Sequence, residues 1–332
     1  MKKKTCILIV VMSLFCGSFG SAEPISLNDL QHRFDGFSEA LSMSLPFNAS
    51  IGLNWSDAYI GQLLAAPPHF GIGLSAGATT IDVDAAADLL KSFGISYPLA
   101  FLPLPAYVVE GRLGGFVIPF DIGVKFGALP DVPLLTDDGV DINFLLAGAD
   151  FRYSLIKQGV ALPNVSIGFG VNYLKGGISA SAVDTMSFSF SDGSTNHTLG
   201  PSKPTVELSW ETVTLELKAQ ISKTLLIITP YAGVGVSYAI VSKAGYGVKT
   251  QVTYGGNTIQ DGDIAKIQEA VPGLKDIGTG GFSSSYERHD SWGIRLFGGL
   301  SFNFAIIKID LTGLFNLIDQ NYGVTLGVRA QL

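Results

Sequence analysis

The stretch Asn321-Tyr322-Gly323-Val324-Thr325-Leu326-Gly327-Val328-Arg329-Ala330-Gln331-Leu332 decides the fold class of this chain. Side chains of an extended strand alternate between two faces, so one face here is apolar and the other carries glycine and polar residues. The apolar face continues to the final residue. A tilted strand of about 9–11 residues crosses a membrane, and a barrel closes when its last strand pairs with its first. The stretch therefore predicts the closing strand of an all-β, closed antiparallel transmembrane β-barrel.

Nine further segments repeat this alternation, which predicts about ten strands, with eight to fourteen left open. The predicted strands are 69–80, 105–114, 116–127, 141–156, 164–180, 205–222, 225–242, 288–303, 306–317 and 321–332. Short and long connections alternate, apart from a short one at 318–320, as expected for tight periplasmic turns and longer external loops. An even strand number then places both termini in the periplasm. An alternative merges 105–127 into one strand and makes 48–60 a strand, which also gives ten.

One face of the predicted strands has no charged residue. It includes Phe151, Ile167, Leu217, Val234 and Leu311. A basic residue facing lipid at the membrane midplane costs about 2–4 kcal/mol, so this face is predicted to contact lipid. Aromatic residues near the row ends fit the membrane interfaces.

The opposite face collects five acids and seven bases. They are Glu110, Arg112, Asp121, Lys125, Asp150, Arg152, Glu216, Lys218, Arg295, Lys308, Asp310 and Arg329. Charges in a lumen must pair or stay hydrated. One interpretation is a charged ring that selects solutes in a wet pore. The other, which we favour, is an ion-pair network that fills a barrel only slightly wider than an eight-stranded one. Inward glycines, Gly168, Gly170, Gly233, Gly235 and Gly299, could widen the lumen into a pocket.

The first 22 residues have the pattern of a secretory signal peptide. Three lysines precede an apolar run that ends at Phe15, and Gly20-Ser21-Ala22 offers small residues for cleavage. Both cysteines, Cys6 and Cys16, lie in this segment, so the mature chain is expected to have no thiol, no disulfide and no cysteine metal site.

Residues 23–68 form a predicted N-terminal helical or plug segment ahead of the barrel at 69–332. Leucine and phenylalanine recur at three- and four-residue steps over 26–45, which predicts an amphipathic helix. This helix either plugs the lumen or lies against the periplasmic rim. A short strand is possible at 48–54, and short helices are predicted in the external loops at 82–94 and 263–273.

Composition supports export and a lipid-facing barrel. The 332 residues are 47% hydrophobic and 15% charged, and after the signal no run of eighteen apolar residues occurs. The net charge of −7 argues against nucleic acid as a partner. The expected partners are outer-membrane lipid, the barrel-insertion machinery through the C-terminal strand, and a small solute. The four histidines are scattered singly and no catalytic set is evident, so no metal, no cofactor and no enzymatic activity are expected.

The C-terminal strand resembles that of bacterial outer-membrane barrel proteins, with Gly327, Ala330 and Leu332 at the spacing read by the insertion machinery. The glycine-rich strands and aromatic rows resemble spirochaete barrels in style. The amphipathic N-terminal segment gives a weaker resemblance to long-chain fatty-acid transporters, without their Asn-Pro-Ala motif. These resemblances imply location in the cell outer membrane. The function that we expect is passive transport or a channel for small solutes. The alternatives are a non-conducting surface barrel with ligand- or host-binding loops, and uptake of hydrophobic compounds.

Overall fold

A computed structural model shows a β-barrel with a helix inside it. The structure describes residues 27–65, 68–82, 84, 87, 102–129, 140–181, 205–249 and 281–332, with the short pieces 186–191, 196–202, 253–254, 257–258 and 277–278. The predicted signal peptide, the predicted helix at 263–273 and nearly all of the one at 82–94 lie outside these residues.

Ten strands form the barrel wall, as predicted. They are β1 (Phe70–Ile81), β2 (Leu102–Gly114), β3 (Phe120–Ala128), β4 (Val140–Ile156), β5 (Asn164–Ser181), β8 (Thr205–Ser222), β9 (Ile228–Lys249), β13 (Gly281–Phe304), β14 (Ile307–Asn316) and β15 (Tyr322–Gln331). Short loop strands are β6 (Met186–Ser191), β7 (Asn196–Ser202), β10 (Thr253–Tyr254), β11 (Asn257–Thr258) and β12 (Ile277–Gly278). Every wall pairing is antiparallel, and β15 pairs with β1 from Gly71↔Gln331 to Thr79↔Gly323. The prediction of a closed antiparallel barrel is confirmed.

The outer surface of the wall is an apolar band. Phe151, Ile167, Leu217, Val234 and Leu311 are 40–62% exposed, and nearly all of their strand neighbours are buried in the lumen. Lipid is the solvent that suits such a surface, and closure leaves no unpaired sheet edge in it. No helix in the described part of the chain has the length and apolarity that a membrane-spanning helix requires. The protein is an integral β-barrel of the outer membrane.

Several strand bounds differ from the prediction. Strand β3 begins at Phe120, because residues 116–119 form the turn that was assigned to the strand. The alternative with a strand at 48–60 is wrong. Strand β9 runs seven residues beyond the predicted end at 242, after a register shift against β8 that leaves Ile240 as the extra residue. This bulge switches the buried face, so that Ser242, Ala244 and Tyr246 point inward.

Helix α1 (Leu27–Asn48) lies inside the barrel, so the alternative of a helix on the periplasmic rim is wrong. Leu30, Phe34, Leu41 and Leu45 are buried against the wall. Residues 49–60 follow in an irregular, mostly buried conformation; we call them the lumen segment. The short strand suggested at 48–54 is not formed.

The chain passes through the lumen from one end of the barrel to the other. One end of the barrel, the turn side, carries Leu332 and the turns at 115–119, 157–163, 223–227 and 305–306, and it is periplasmic in barrels of this kind. The short turn at 317–321 lies at the other end. The ring of Phe34 stacks on that of Tyr246 at 4.5 Å, near the opposite end, the loop side. The prediction that both termini lie in the periplasm agrees with Leu332 on the turn side, whereas the N-terminus lies outside the described residues. Helix α1 begins on the loop side.

Candidate functional site: two halves of the lumen

The structure places all twelve predicted lumen charges on the inner face of the wall. Eleven of them are no more than 7% exposed, and the Lys308 side chain is 14% exposed. They lie in the turn-side half of the lumen, around the lumen segment. Their alternation with lipid-facing residues follows from the period of two along each strand.

Five of these side chains form a continuous chain of ion pairs across four strands. Asp121 accepts from Arg152 at 2.8 Å and also pairs with Arg112. Arg112 continues to Asp150 at 2.8 Å, and Asp150 pairs with Lys218 at 2.6 Å. Charges removed from water need this density of partners, because an unpaired one would carry its full desolvation cost.

Two of the twelve lumen charges bind the lumen segment instead of an opposite charge; the twelve are called the ring below. Lys125 donates to the carbonyl oxygens of Ala49 and Ile51 at 2.7 and 2.6 Å. Glu110 accepts from the indole Nε1 of Trp55 at 2.8 Å and from the backbone N–H of Leu53. Although Glu110 and Lys125 face each other in the β2–β3 register, neither joins an ion pair with another described residue. The sequence did not predict this separation.

The lumen segment contributes two anchors of its own, Trp55 and Asp57. The Trp55 ring is 1% exposed and lies between the guanidinium groups of Arg112 and Arg329. The distance from the guanidinium carbon to the ring centroid is 5.6 Å for Arg112 and 4.7 Å for Arg329. The Asp57 carboxylate pairs with Lys308 at 2.7 Å and Arg329 at 2.8 Å. Arg329 also pairs with Asp310, which joins these residues into a second network.

The other described pair of the ring joins Arg295 to Glu216. Arg295 also donates to the side-chain oxygen of Asn54 at 3.0 Å.

The inward glycines give room to long side chains and do not open a pocket. A Cβ on Gly233 would lie 2.2 Å from the Phe297 ring, and one on Gly235 would lie 2.7 Å from Glu216 Oε1. Gly123 shows the same close fit, since its Cβ would lie 2.4 Å from Asp150 Oδ1. The predicted widening of the lumen is therefore not what the structure shows at Gly233 and Gly235.

The loop-side half of the lumen is mainly apolar and loosely filled. Helix α1 and the wall enclose a cavity of about 360 Å³ there. Its inner lining includes Phe37, Leu41, Leu104, Ala106, Phe144 and Trp210. No charged side chain is among its described lining residues.

This cavity reaches the outer face through a gap in the wall above β3. Strand β3 pairs with β2 only from Val109 to Gly114, and its pairing with β4 ends at Leu145. Beyond Ala128, where β3 ends, no described strand lies between residues 102–106 and 140–144; residues 130–139 lie outside the described residues. Outward-facing Pro105 and Tyr107 line the cavity with the inward residues, and the Tyr107 and Phe144 rings stack across the gap at 5.6 Å.

Proline explains part of this local architecture. Pro103 and Pro105 lack the N–H group that a central strand donates to its neighbours, so proline is confined to free edges and bulges of sheets. Both lie in the part of β2 that β3 does not cover. The Leu102-Pro103-Leu104-Pro105 sequence was a readable sign of a free edge at this place.

Sequence reasoning missed Trp55 and Asp57 as members of the lumen network. One signal was available: the predicted ring has seven bases and five acids, so a further acid from outside the strands would improve its balance. Asp57 is the only charged residue between 40 and 81. Its place in the lumen depends on a fold without a repeating pattern, which periodicity does not predict.

No family model and no curated protein matches this chain. Among solved structures it is similar to the outer membrane protease OmpT from Escherichia coli, at 8% identity and a TM-score of 0.40 over 80% of this chain and 97% of that one. It is also similar to Ail of Yersinia pestis, at 10% identity and 0.24 over 79% and 95%. A third is the Ralstonia pickettii toluene transporter TbuX, at 8% and 0.27 over 80% and 89%. These values are too low to carry an argument about function.

Proposed function

We propose that this protein is an outer-membrane barrel that takes up hydrophobic compounds through the apolar cavity between helix α1 and the wall. The observation that carries the proposal is the cavity of about 360 Å³ that crosses the wall above β3. Apolar pockets of a few hundred Å³ with few polar groups are typical of small-molecule sites. An uncharged, chain-like or aromatic compound suits this lining, because a charged group would be buried there without a partner.

The gap gives such a compound a route from the bilayer. Tyr107 has its ring on the lipid side and Phe144 has its ring on the lumen side, so their stacked rings flank the passage between lipid and cavity. Compounds that partition into lipid reach this side entrance without crossing water.

An aqueous channel for small solutes stays a prediction without support from the geometry. Helix α1 and the lumen segment occupy the described lumen from Leu30 to Ile60. Passage of a hydrated solute would require both to move.

Quenching of Trp210 tests the proposal, because this indole lines the cavity. The refolded protein in lipid vesicles is titrated with a brominated alkane, and the Trp210 signal is the difference between wild type and Trp210→Phe. Saturable quenching that Ala106→Phe abolishes is expected, since the added ring fills the cavity. Lipid-facing Trp292 should be quenched without saturation. Quenching of Trp210 that rises linearly and survives Ala106→Phe would contradict binding in the cavity.

A second candidate function is recognition at the cell surface. It is favoured by the unequal lengths of the wall strands. Strands β9 and β13 have 22 and 24 residues, about twice the length that a membrane crossing needs. Their outer parts carry exposed ion pairs such as Lys249–Glu207, so this wall extends into water. Shortening both strands by matched deletions should leave Trp210 quenching intact; loss of adhesion to host cells or matrix would assign the projection to this role.

A further inference from the structure

The turn-side half of the lumen recognises the main chain of the lumen segment. Ten hydrogen bonds join wall side chains to its backbone groups. Gln220 donates to the carbonyl oxygens of Trp55 and Ser56 at 2.7 and 3.0 Å, and Arg152 donates to that of Asp57 at 2.8 Å. Ser222 accepts from the N–H of Ala58 at 2.9 Å. Main-chain recognition of this density is how proteins hold peptides whose sequence is only partly read.

Side-chain recognition is concentrated at two positions of the segment. Trp55 occupies the slot between two arginines, and Asp57 occupies the site formed by Lys308 and Arg329. An aromatic residue two positions before an acid is therefore the feature that the wall reads.

The contacts of this half also suit release. The wall groups that hold the segment are charged, amide or hydroxyl groups, which water can hydrate when the segment leaves. The wall that helix α1 covers is mainly apolar and makes fewer polar contacts, such as the hydrogen bond from Ser242 Oγ to the carbonyl oxygen of Ser42 at 2.6 Å. The segment leaves the barrel at Gly61, where φ is +116°, and continues to Leu64, which is 71% exposed.

We infer that the turn-side half of the lumen is a peptide-binding site for a chain with an aromatic residue two positions before an acid, and that the lumen segment is its displaceable resident ligand. The site shares no residue with the apolar cavity, so either assignment can fail without the other. Displacement exposes the twelve lumen charges to water.

Cutting the full-length chain after folding tests this inference. A protease recognition sequence inserted after Leu64 separates residues 27–64 from an otherwise complete barrel. A dye-labelled synthetic peptide of residues 27–64 is then added in excess, and bound label is measured on the barrel after gel filtration. Competing unlabelled peptides carry Trp55→Ala, Asp57→Asn or, as the matched control, Tyr59→Phe, whose hydroxyl has no hydrogen-bond partner among the described residues. A peptide of residues 27–48 carries the helix alone.

Label is expected to replace the cut segment, and the Tyr59→Phe peptide to compete as well as the parent. The Trp55→Ala and Asp57→Asn peptides should compete about tenfold less well or worse, as loss of a buried anchor or charge pair implies. The helix peptide should not compete. Failure of the label to enter a cut but heat-modifiable barrel would overturn the inference, as would loss of the barrel on cutting. If the helix peptide competed as well as the parent peptide, the binding energy would come from helix α1 and not from the lumen segment, which would also overturn the inference.

Discussion

The two halves of the lumen of this ten-stranded barrel are filled in opposite ways. The turn-side half is filled by charges that pair with each other and with the backbone of the lumen segment. The loop-side half is filled by an amphipathic helix and keeps a cavity of about 360 Å³. The difference follows from the part of the chain that fills each half. An irregular segment presents free backbone groups that need polar neighbours, whereas a helix satisfies its own and presents mainly side chains. One half is therefore suited to hold a peptide and the other to hold an apolar compound.

Removing Trp55 should have the largest effect on the turn-side half. Trp55→Ala leaves a cavity between two arginines and removes a hydrogen bond from Glu110, so the free energy of unfolding should fall by about 3–5 kcal/mol. Trp292→Ala is the matched control, because this ring is 60% exposed to lipid and contacts Tyr238 at 5.0 Å; it should cost about 1 kcal/mol. Urea unfolding followed by the heat-modifiable gel shift measures both. Equal costs would show that the lumen segment does not anchor the barrel.

Two buried bases should differ according to their partners. Arg152→Met breaks a pair with Asp121 and should lower stability by about 3 kcal/mol, at the lower end for buried pairs because Arg112 still neutralises Asp121. Lys125→Met leaves two carbonyl oxygens without a donor but no acid unpaired, and should cost about 1–2 kcal/mol. The same unfolding assay ranks them. A larger loss for Lys125→Met would contradict the separate roles assigned to these residues.

Adding side-chain volume should distinguish the tight half from the loose one. Gly123→Ala places a Cβ 2.4 Å from Asp150 Oδ1 and should cost about 1–3 kcal/mol. Ala106→Phe enters the apolar cavity and should leave stability unchanged or raise it by up to about 2 kcal/mol. Thermal unfolding of the two variants in one detergent makes the comparison. If Ala106→Phe were as damaging as Gly123→Ala, the loop-side half would be packed as tightly as the turn-side half.

Epitope tags at the two ends should show which half of the lumen faces the cell exterior, without changing stability. An epitope placed before Leu27 should bind antibody on intact cells, because helix α1 begins at the loop side. An epitope after Leu332 should bind only after the outer membrane is opened. Whole-cell flow cytometry measures antibody binding to both tags. If the N-terminal tag bound no antibody on intact cells although the barrel had folded, the direction assigned to helix α1 would be wrong.

The wall was predictable from sequence because lipid imposes a period of two on every strand. The alternation near Phe151 and Asp150 identifies both faces without any knowledge of contacts. The interior was less predictable. The bulge at Ile240 switches a face within one strand, and the partners of Lys125 are carbonyl groups, which no side-chain pattern records. The direction of helix α1 depends on which end of the barrel it enters, and amphipathic spacing is the same for both directions.

A disulfide between the lumen segment and the wall tests the central claim most directly, in a mature chain expected to have no cysteine. Ala58 and Ser222 are joined by a hydrogen bond of 2.9 Å from backbone N to Oγ, whereas neighbouring Ile221 points to lipid and is 46% exposed. The Ala58→Cys/Ser222→Cys pair should form a disulfide on mild oxidation, within the reach that such bonds allow. The Ala58→Cys/Ile221→Cys pair should not. Mass spectrometry after cleavage in the 61–65 connection shows whether the two fragments stay joined. No cross-link in the first pair, or an equal yield in both, would contradict a lumen occupied by residues 49–60.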